Sequence, residues 1–336
     1  MDEFETWRDR ALRLEAGANR IMAGQERAVR LLLIATLARG HALLEGDVGV
    51  GKTTLLQTLA RGIGGAFERI EGTVDLMPSD LVYYTWVTRD GQPRVDAGPL
   101  LRHGPELSIF FFNEINRARP QVHSLMLRAM AERSVNAFNA EHRFPHLQVF
   151  ADRNRVEREE TFEIPAAVRD RFFMEIAIEM PDDPALQRAL MTDTRYHSVD
   201  ALIGEMEPGI VPFHDLNDVA ARIQSSVDAS ETLLRYALDL CAATRRPAEF
   251  GVELDGVDTS RLVQAGTSPR GMSMLLRAAR VAAWLAGRSE VLPGDLHAVF
   301  EPVVAHRIFF SPIYEMRRSE IAAPLVTKIL ATVASP

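Results

Sequence analysis

Cysteine is nearly absent: Cys241 stands alone among 336 residues. That excludes an intrachain disulfide and a cysteine-based zinc site, and it suits a reducing compartment. Cys241 itself falls in an apolar helical stretch, where a small core residue is favoured over a nucleophile. A basic excess is missing too. Lys and Arg number 38 against 46 Asp and Glu, for a net charge of −8. This argues against a generic nucleic-acid binder whose affinity rests on phosphate neutralisation, although a local basic patch stays open. No apolar run approaches the length of a membrane-spanning helix. The acidic start, Met1-Asp2-Glu3-Phe4-Glu5, lacks the basic-then-apolar order of a signal peptide, so a cytoplasmic location is expected. Repeats and low-complexity tracts are also lacking. What is present is ordinary globular composition, 47% hydrophobic and 25% charged. The length exceeds what one core usually serves, so two domains are expected.

The most specific stretch is Gly46-Asp47-Val48-Gly49-Val50-Gly51-Lys52-Thr53. It satisfies the phosphate-loop pattern G-x-x-x-x-G-K-[ST] at every fixed position. His41–Glu45 before it reads as a short buried strand, and Thr54–Ala60 after it as a helix start. That context separates a nucleotide site from a chance glycine-rich turn. Glycines let the backbone wrap phosphates, with amides and the helix N-terminus facing the negative charge. Lys52 would reach the β- and γ-phosphates, and the Thr53 hydroxyl would ligate Mg2+.

Around this loop the chain reads in order. Phe4, Trp7, Ala11, Leu12, Leu14, Ala18 and Ile21 recur at helical spacing over 4–22, and a second apolar helix spans 27–38, closed by Arg39-Gly40. A strand is predicted at 67–73. Tyr83–Thr88 and Gln92–Val95 flank Asp90-Gly91, a strong hairpin signal. The aromatic pair there serves either a binding surface or packing at the hairpin base. Leu107–Phe112 reads as a central parallel strand buried on both faces, followed by a helix through Met130. A second hairpin fits within 134–144, a strand at 147–151, and a short helix before a strand at 173–178. Past Met180–Pro184 helical periodicity takes over and β signals vanish. The segment 195–218, with two prolines, reads as an irregular connector. Helices are predicted near 228–244, 270–287, 293–305 and 317–333, with a loop at 247–266. The expected division is an N-terminal helix at 1–20, a core at 21–183, a connector at 184–225 and a helical domain at 226–336.

In this order and spacing the motifs resemble the MoxR family of AAA+ ATPases, from about Ile21 to Arg307. Beyond the phosphate loop the resemblance is carried by Gly98-Pro99-Leu100, Asn113-Glu114-Ile115-Asn116-Arg117-Ala118, Ile164-Pro165 through Asp170-Arg171-Phe172, and Thr267-Ser268-Pro269-Arg270. The two hairpins suit the helix-2 and pre-sensor-1 insertions of that clade. The resemblance implies an α/β fold, an AAA+ P-loop αβα sandwich with a parallel central sheet plus a small all-α lid domain. It also implies a homo-oligomeric ring, usually a hexamer, that binds and hydrolyses ATP with Mg2+. Such proteins act as chaperones in maturation, metal or cofactor insertion, or assembly of a protein client, together with a von Willebrand factor A-domain partner. No nucleic-acid partner and no membrane span are expected.

Residue by residue, the resemblance places nucleotide contacts at Gly46, Asp47, Val48, Gly49, Val50, Gly51, Lys52, Thr53 and Thr54, with Gln25 upstream. It places Thr53 and Asn113 at the metal, Glu114 as the carboxylate that polarises the attacking water, and Asn154 as the sensor amide. A buried strand-end glutamate would be costly to desolvate without such a task. Arg171 would be the finger reaching a neighbour's site, with Arg169 as runner-up; a finger in trans is worth several orders of magnitude in rate. An interface salt bridge is the plainer role for either. Arg270 would reach the γ-phosphate from the lid.

Two departures stand out. The usual Walker-B aspartate is replaced by Asn113, which keeps an acceptor oxygen but loses the charge that magnesium favours. That supports an alternative function, a nucleotide-gated binding scaffold with weak or no hydrolysis. Nearby, Ala151-Asp152-Arg153-Asn154-Arg155 replaces the family's Ala-Thr-Gln-Asn-Pro. Asp152 shares a strand face with Asn154, so it either supplies the missing carboxylate or is a surface acid paired with Arg153 or Arg155. Val48 also replaces a common loop proline, without loss of any required group.

Overall fold

The computed structural model describes residues 3–154 and 162–336; Met1, Asp2 and Arg155 lie outside the described residues. Helices α1 (Glu3–Ile21) and α2 (Glu26–Leu37) lead into β1 (Ala42–Glu45) and α3 (Lys52–Ile63). Next come β2 (Ala66–Glu71), α4 (Pro78–Val82), the hairpin β3 (Tyr83–Val87) and β4 (Pro93–Ala97), β5 (Leu107–Asn113) and α5 (Pro120–Glu132). A second hairpin, β6 (Ser134–Ala137) and β7 (Ala140–Arg143), precedes β8 (Gln148–Arg153), α6 (Ala166–Arg169) and β9 (Met174–Ala177). The helical spacing read in 4–22 is the inward stripe of α1, where Trp7, Ala11, Leu14, Ala18 and Ile21 are buried. Every residue of β5 is buried, as a central strand covered on both faces requires.

The five-stranded sheet runs β2-β5-β8-β1-β9. The β2–β5, β5–β8 and β1–β8 pairs are parallel, and Ile178 N donates to Glu45 O at 2.8 Å just beyond β9. All the loops that follow the strands therefore gather at one end, where ligands bind in open α/β sheets. Register fixes which side chains meet there. Glu71 pairs with Asn113, Phe112 with Ala151 and Leu44 with Asp152.

The chain divides into two compact units, Met1–Arg171 with Ile176–Asn217, and Phe172–Glu175 with Asp218–Pro336. Helix α7 (Pro184–Thr192) precedes the 195–218 stretch expected to be irregular. Within that stretch residues 205–215, with both prolines, carry no helix or strand, while α8 (Val199–Gly204) and the start of α9 (Leu216–Ser226) are helical. The Asp183-Pro184 pair is a helix start, because Asp183 Oδ1 accepts from Ala185 N at 2.8 Å. Between α8 and α9, Gly209, Val211 and Phe213 donate their amides to the carbonyls of Arg61, Gly62 and Ile63. The connector thus satisfies the orphan carbonyls at the end of α3, which explains its order despite the prolines.

The second unit holds α10 (Glu231–Arg245), α11 (Pro269–Leu285), α12 (Pro293–Val304), α13 (Pro312–Glu315) and α14 (Arg318–Thr332) around Leu240, Ala279, Val299, Phe300 and Leu325. It is not purely helical. Within the 247–266 stretch read as a loop lies β10 (Val263–Ala265), antiparallel to β11 (Phe309–Phe310). The buried Arg307 donates to the carbonyls of Phe172 and Val303, and to that of Phe173 at 3.4 Å.

Candidate nucleotide site

The phosphate-loop residues adopt a backbone that their side chains require. Gly49 and Gly51 lie at φ of 83° and 90°, a left-handed region in which a Cβ is strained. A Cβ on Gly46 would stand 2.3 Å from Ile178 O. Gly51 ends the loop as the N-cap of α3 with no side-chain cap, so the first amides and the positive end of the helix dipole face the loop. Such a cradle fits a triphosphate. Lys52 is 8% exposed, yet its ammonium is well supplied with acceptors. It donates to Gly46 O at 2.7 Å, to Asn154 Oδ1 at 2.6 Å and to Asp47 O at 3.4 Å, and lies 3.3 Å from Asp152 Oδ2.

The ends of β5 and β8 supply the rest. Asn154 bridges the site, its Oδ1 toward Lys52 and its Nδ2 donating to Glu114 Oε1 at 3.0 Å. The other oxygen of Glu114 accepts from Arg117 Nη1 at 3.1 Å. Glu114 sits at φ 53°, an uncommon backbone for a non-glycine residue and one that clusters at functional sites. Two contacts hold it there. Its amide donates to Asp152 Oδ1 at 2.5 Å, and Gly72 passes so close that a Cβ would reach within 2.1 Å of Glu114 O. Burial pushes the Asp152 carboxyl above its usual range, opposed by the Glu114 amide and by Lys52.

Comparison with known proteins gives the family. Residues 41–174 match the ATPase family associated with various cellular activities (AAA), and residues 258–325 match the AAA lid domain. The chain is 56% identical to Protein MoxR of Methylorubrum extorquens over 98% of its length and 96% of that protein's. This chain belongs to the MoxR family of AAA+ ATPases. It is likewise 56% identical to Protein MoxR of Paracoccus denitrificans, over 98% of this chain and 97% of that one. Against Chaperone MoxR1 of Mycobacterium tuberculosis it is 33% identical, over 94% and 80% of the two chains. A crystal structure of a candidate ATPase from Cytophaga hutchinsonii superposes with a TM-score of 0.82 at 28% identity, covering 99% and 97%.

In this MoxR-family chain, Lys52, Glu114 and Asn154 come together as the sequence suggested, and Thr53 and Thr54 occupy the first turn of α3. One open alternative closes. Asp152 is no surface acid: it is 1% exposed and pairs with Lys52, while Arg153 pairs with Glu45 at 3.2 Å. The Nδ2 of Asn113 donates to Glu71 Oε1 at 2.5 Å, so the amide of this expected metal residue is engaged by a strand neighbour. Gln25 donates to Glu179 O at 2.5 Å, next to the Ile178 carbonyl that abuts Gly46. Among the described residues no group of three or more His, Cys, Asp or Glu is arranged to hold a metal. A magnesium ion bound mainly through phosphates, Thr53 and water needs none.

The candidate arginines separate clearly. Arg169 is buried, 3.7 Å from Glu163. Arg171 is half-buried; its amide donates to Val168 O at 3.0 Å, and its side chain makes no hydrogen bond or ion pair among the described residues. It precedes β9, at the strand-entry end, where its charge is felt by His41. Arg270 is exposed in the first turn of α11. Ser268 caps that helix through Gly271 N at 3.1 Å, and Arg245 holds Thr267 O at 2.6 Å. Glu71, Gly72 and Arg117 were missed by sequence reasoning. Their adjacency to Asn113 and Glu114 is partly non-local; only the strand-ending Glu71-Gly72 pair was a visible cue.

Proposed function

We propose that this chain binds ATP with Mg2+, hydrolyses it within a homo-oligomeric ring, a hexamer by family precedent, and spends the cycle as a chaperone on a protein client. The single observation that carries the reading is the hydrogen-bonded run Lys52–Asn154–Glu114. It links a phosphate-binding cation, an orienting amide and a carboxylate in one chain of contacts. Glu114 polarises the attacking water and accepts its proton; Asn154 keeps that carboxylate in place and senses the γ-phosphate through Lys52. The Thr53 hydroxyl would hold a magnesium ion, which would supply charge neutralisation at the phosphates. The remaining loop residues, Gly46 to Gly51, supply amides, and Thr54 and Gln25 flank the nucleotide.

Arg171 is the preferred finger in trans. It stands at the end of the sheet opposite its own phosphate loop, its side chain without an ion pair among the described residues, whereas Arg169 is committed within its own chain. Arg270 serves as the lid's γ-phosphate arginine. The exposed face of the β3–β4 hairpin suits client or adaptor contact. Trp86 and Val87 are 49% and 67% exposed, and Tyr83 packs on Phe138 with ring centroids 5.7 Å apart. An adaptor with a von Willebrand factor A-type domain fits the family precedent, as does the chaperone role carried in the name of the mycobacterial relative.

The test is ATP binding and turnover of wild type beside Glu114→Gln. Turnover lost with binding kept supports the motor. The second reading, a scaffold that barely hydrolyses, draws on the Asn113–Glu71 bond. It would be favoured by negligible wild-type turnover that rises sharply in Asn113→Asp.

A further inference from the structure

One row of side chains at the strand-exit end of the sheet is not explained by the family motif. Glu71 on β2, Asn113 on β5 and Asp152 on β8 occupy neighbouring positions on one face. Glu71 is the register partner of Asn113, while Asn113 and Asp152 each follow the paired Phe112 and Ala151. The row reads carboxylate, amide, carboxylate. Asn113 can sit in its middle because an amide donates: its Nδ2 bonds Glu71 Oε1 at 2.5 Å. A carboxylate at that position would meet a like charge on either side, which is destabilising across neighbouring strands. Asp152 is the buried carboxylate of the row, gripping Lys52 with one oxygen and the Glu114 amide with the other. Stability alone is a poor reason to keep such a pair, since apolar replacements of buried ion pairs are often neutral or stabilising.

We propose that the carboxylate of this site has moved from β5 to β8. Asp152 is the acidic positioning residue for the magnesium–triphosphate at the phosphate loop, and Asn113 is the neutral spacer that lets Asp152 and Glu71 flank it. Asp152 touches both Lys52 and the backbone of Glu114, so it aligns the phosphate cation and the water-polarising residue together. The inference rests on the reading of the loop as an ATP site. It predicts that Asn113→Asp alone is no repair, because the introduced carboxylate lands between two others.

Titration of a fluorescent ATP analogue, with Mg2+ varied and with EDTA, tests this without reference to turnover. Wild type binds more tightly as Mg2+ rises. Asp152→Asn loses about tenfold or more of that magnesium-dependent gain while its affinity in EDTA is unchanged or tighter. Asn113→Asp alone brings no gain, and the reciprocal exchange, Asn113→Asp with Asp152→Asn, recovers most of the wild-type response. That rescue is what a merely structural role would not produce. If Asp152→Asn fails to give a cooperative melt, Asp152→Thr stands in and must show the same loss. Wild-type magnesium dependence in the Asp152 variant, or a gain in Asn113→Asp alone, overturns the proposal and leaves the ATP site standing. Absence of analogue binding by wild type at any Mg2+ concentration overturns both.

Discussion

The two ends of the sheet in the first unit each bury a cation beside an amide side chain, and they differ in what surrounds it. At the strand-entry end Arg39 donates to Gln148 Oε1 at 2.9 Å, His146 O at 2.6 Å and Asn217 Oδ1 at 2.8 Å. Gln148 in turn donates to Gly40 O at 2.9 Å. His41 bridges Met130 O and Val149 N, at 3.0 and 2.9 Å. The partners of Arg39 are neutral, two side-chain amide oxygens and one backbone carbonyl, and all three are held within the fold. Burial, with Arg133 nearby, pushes Arg39 down to about 9. At the strand-exit end Lys52 meets a carboxylate, an amide and loop carbonyls beside the exposed Asp47–Gly49. A phosphate can replace those contacts. A cation whose acceptors are immovable holds the fold; one whose acceptors can be exchanged is poised for a ligand.

The sharpest way to break this contrast is through Arg171, an entry-end arginine whose side chain has no acceptor among the described residues. Arg171→Ala should lower ATP turnover by roughly three orders of magnitude, as for other trans arginines, while nucleotide affinity and melting temperature stay near wild type. A large fall in melting temperature would place it with Arg39 instead. Next, Glu114→Gln should cut turnover by about a hundredfold or more while retaining ATP binding, the loss expected when a positioned proton acceptor is removed. Equal loss of affinity would make Glu114 part of the binding cradle. Arg39→Met should do the reverse. It leaves the Gln148 and Asn217 oxygens and a carbonyl short of a donor, costing about 3 kcal/mol in chemical denaturation, with nucleotide affinity of the folded protein unaltered.

The most gradual effect, small over any single pH unit, is a pH dependence. Burial, followed by Arg133, Arg39 and Arg171, lowers His41 to about 3, against the raising influence of its bond to Met130. An unfolded histidine takes up its proton near 6.5. The stability contributed by neutral His41 is therefore whole above that value, and falls by about 1.4 kcal/mol per pH unit as pH drops toward 3. Urea midpoints measured across that range in wild type and His41→Gln should differ in slope; parallel curves would remove His41 from the entry-end network.

Much of this was visible in the chain because it depends on neighbours in sequence. Glycines at Gly49 and Gly51, the predominantly apolar Leu107–Phe112 and the turn at Asp90-Gly91 specify their own backbone. The irregular segment around Pro208 and Pro212 was legible from those breakers, but the short helix α8 beside it was not. The proline segment is ordered by amides donated to carbonyls on α3, about 150 residues earlier. The β10–β11 pair escaped because strands of three and two residues are too short for alternation to register.

The phosphate loop, its lysine and threonine, and the order of the family motifs are local properties, and sequence alone determined them. Tertiary structure decided the meaning of the acids and amides around them. The crossover order β5-β8-β1 brings Asp152 against a lysine 100 residues away and sets Asn113 between Glu71 and Asp152. A side chain's charge is written in the sequence, but its partner, and hence its energy, depends on which strands the fold makes neighbours.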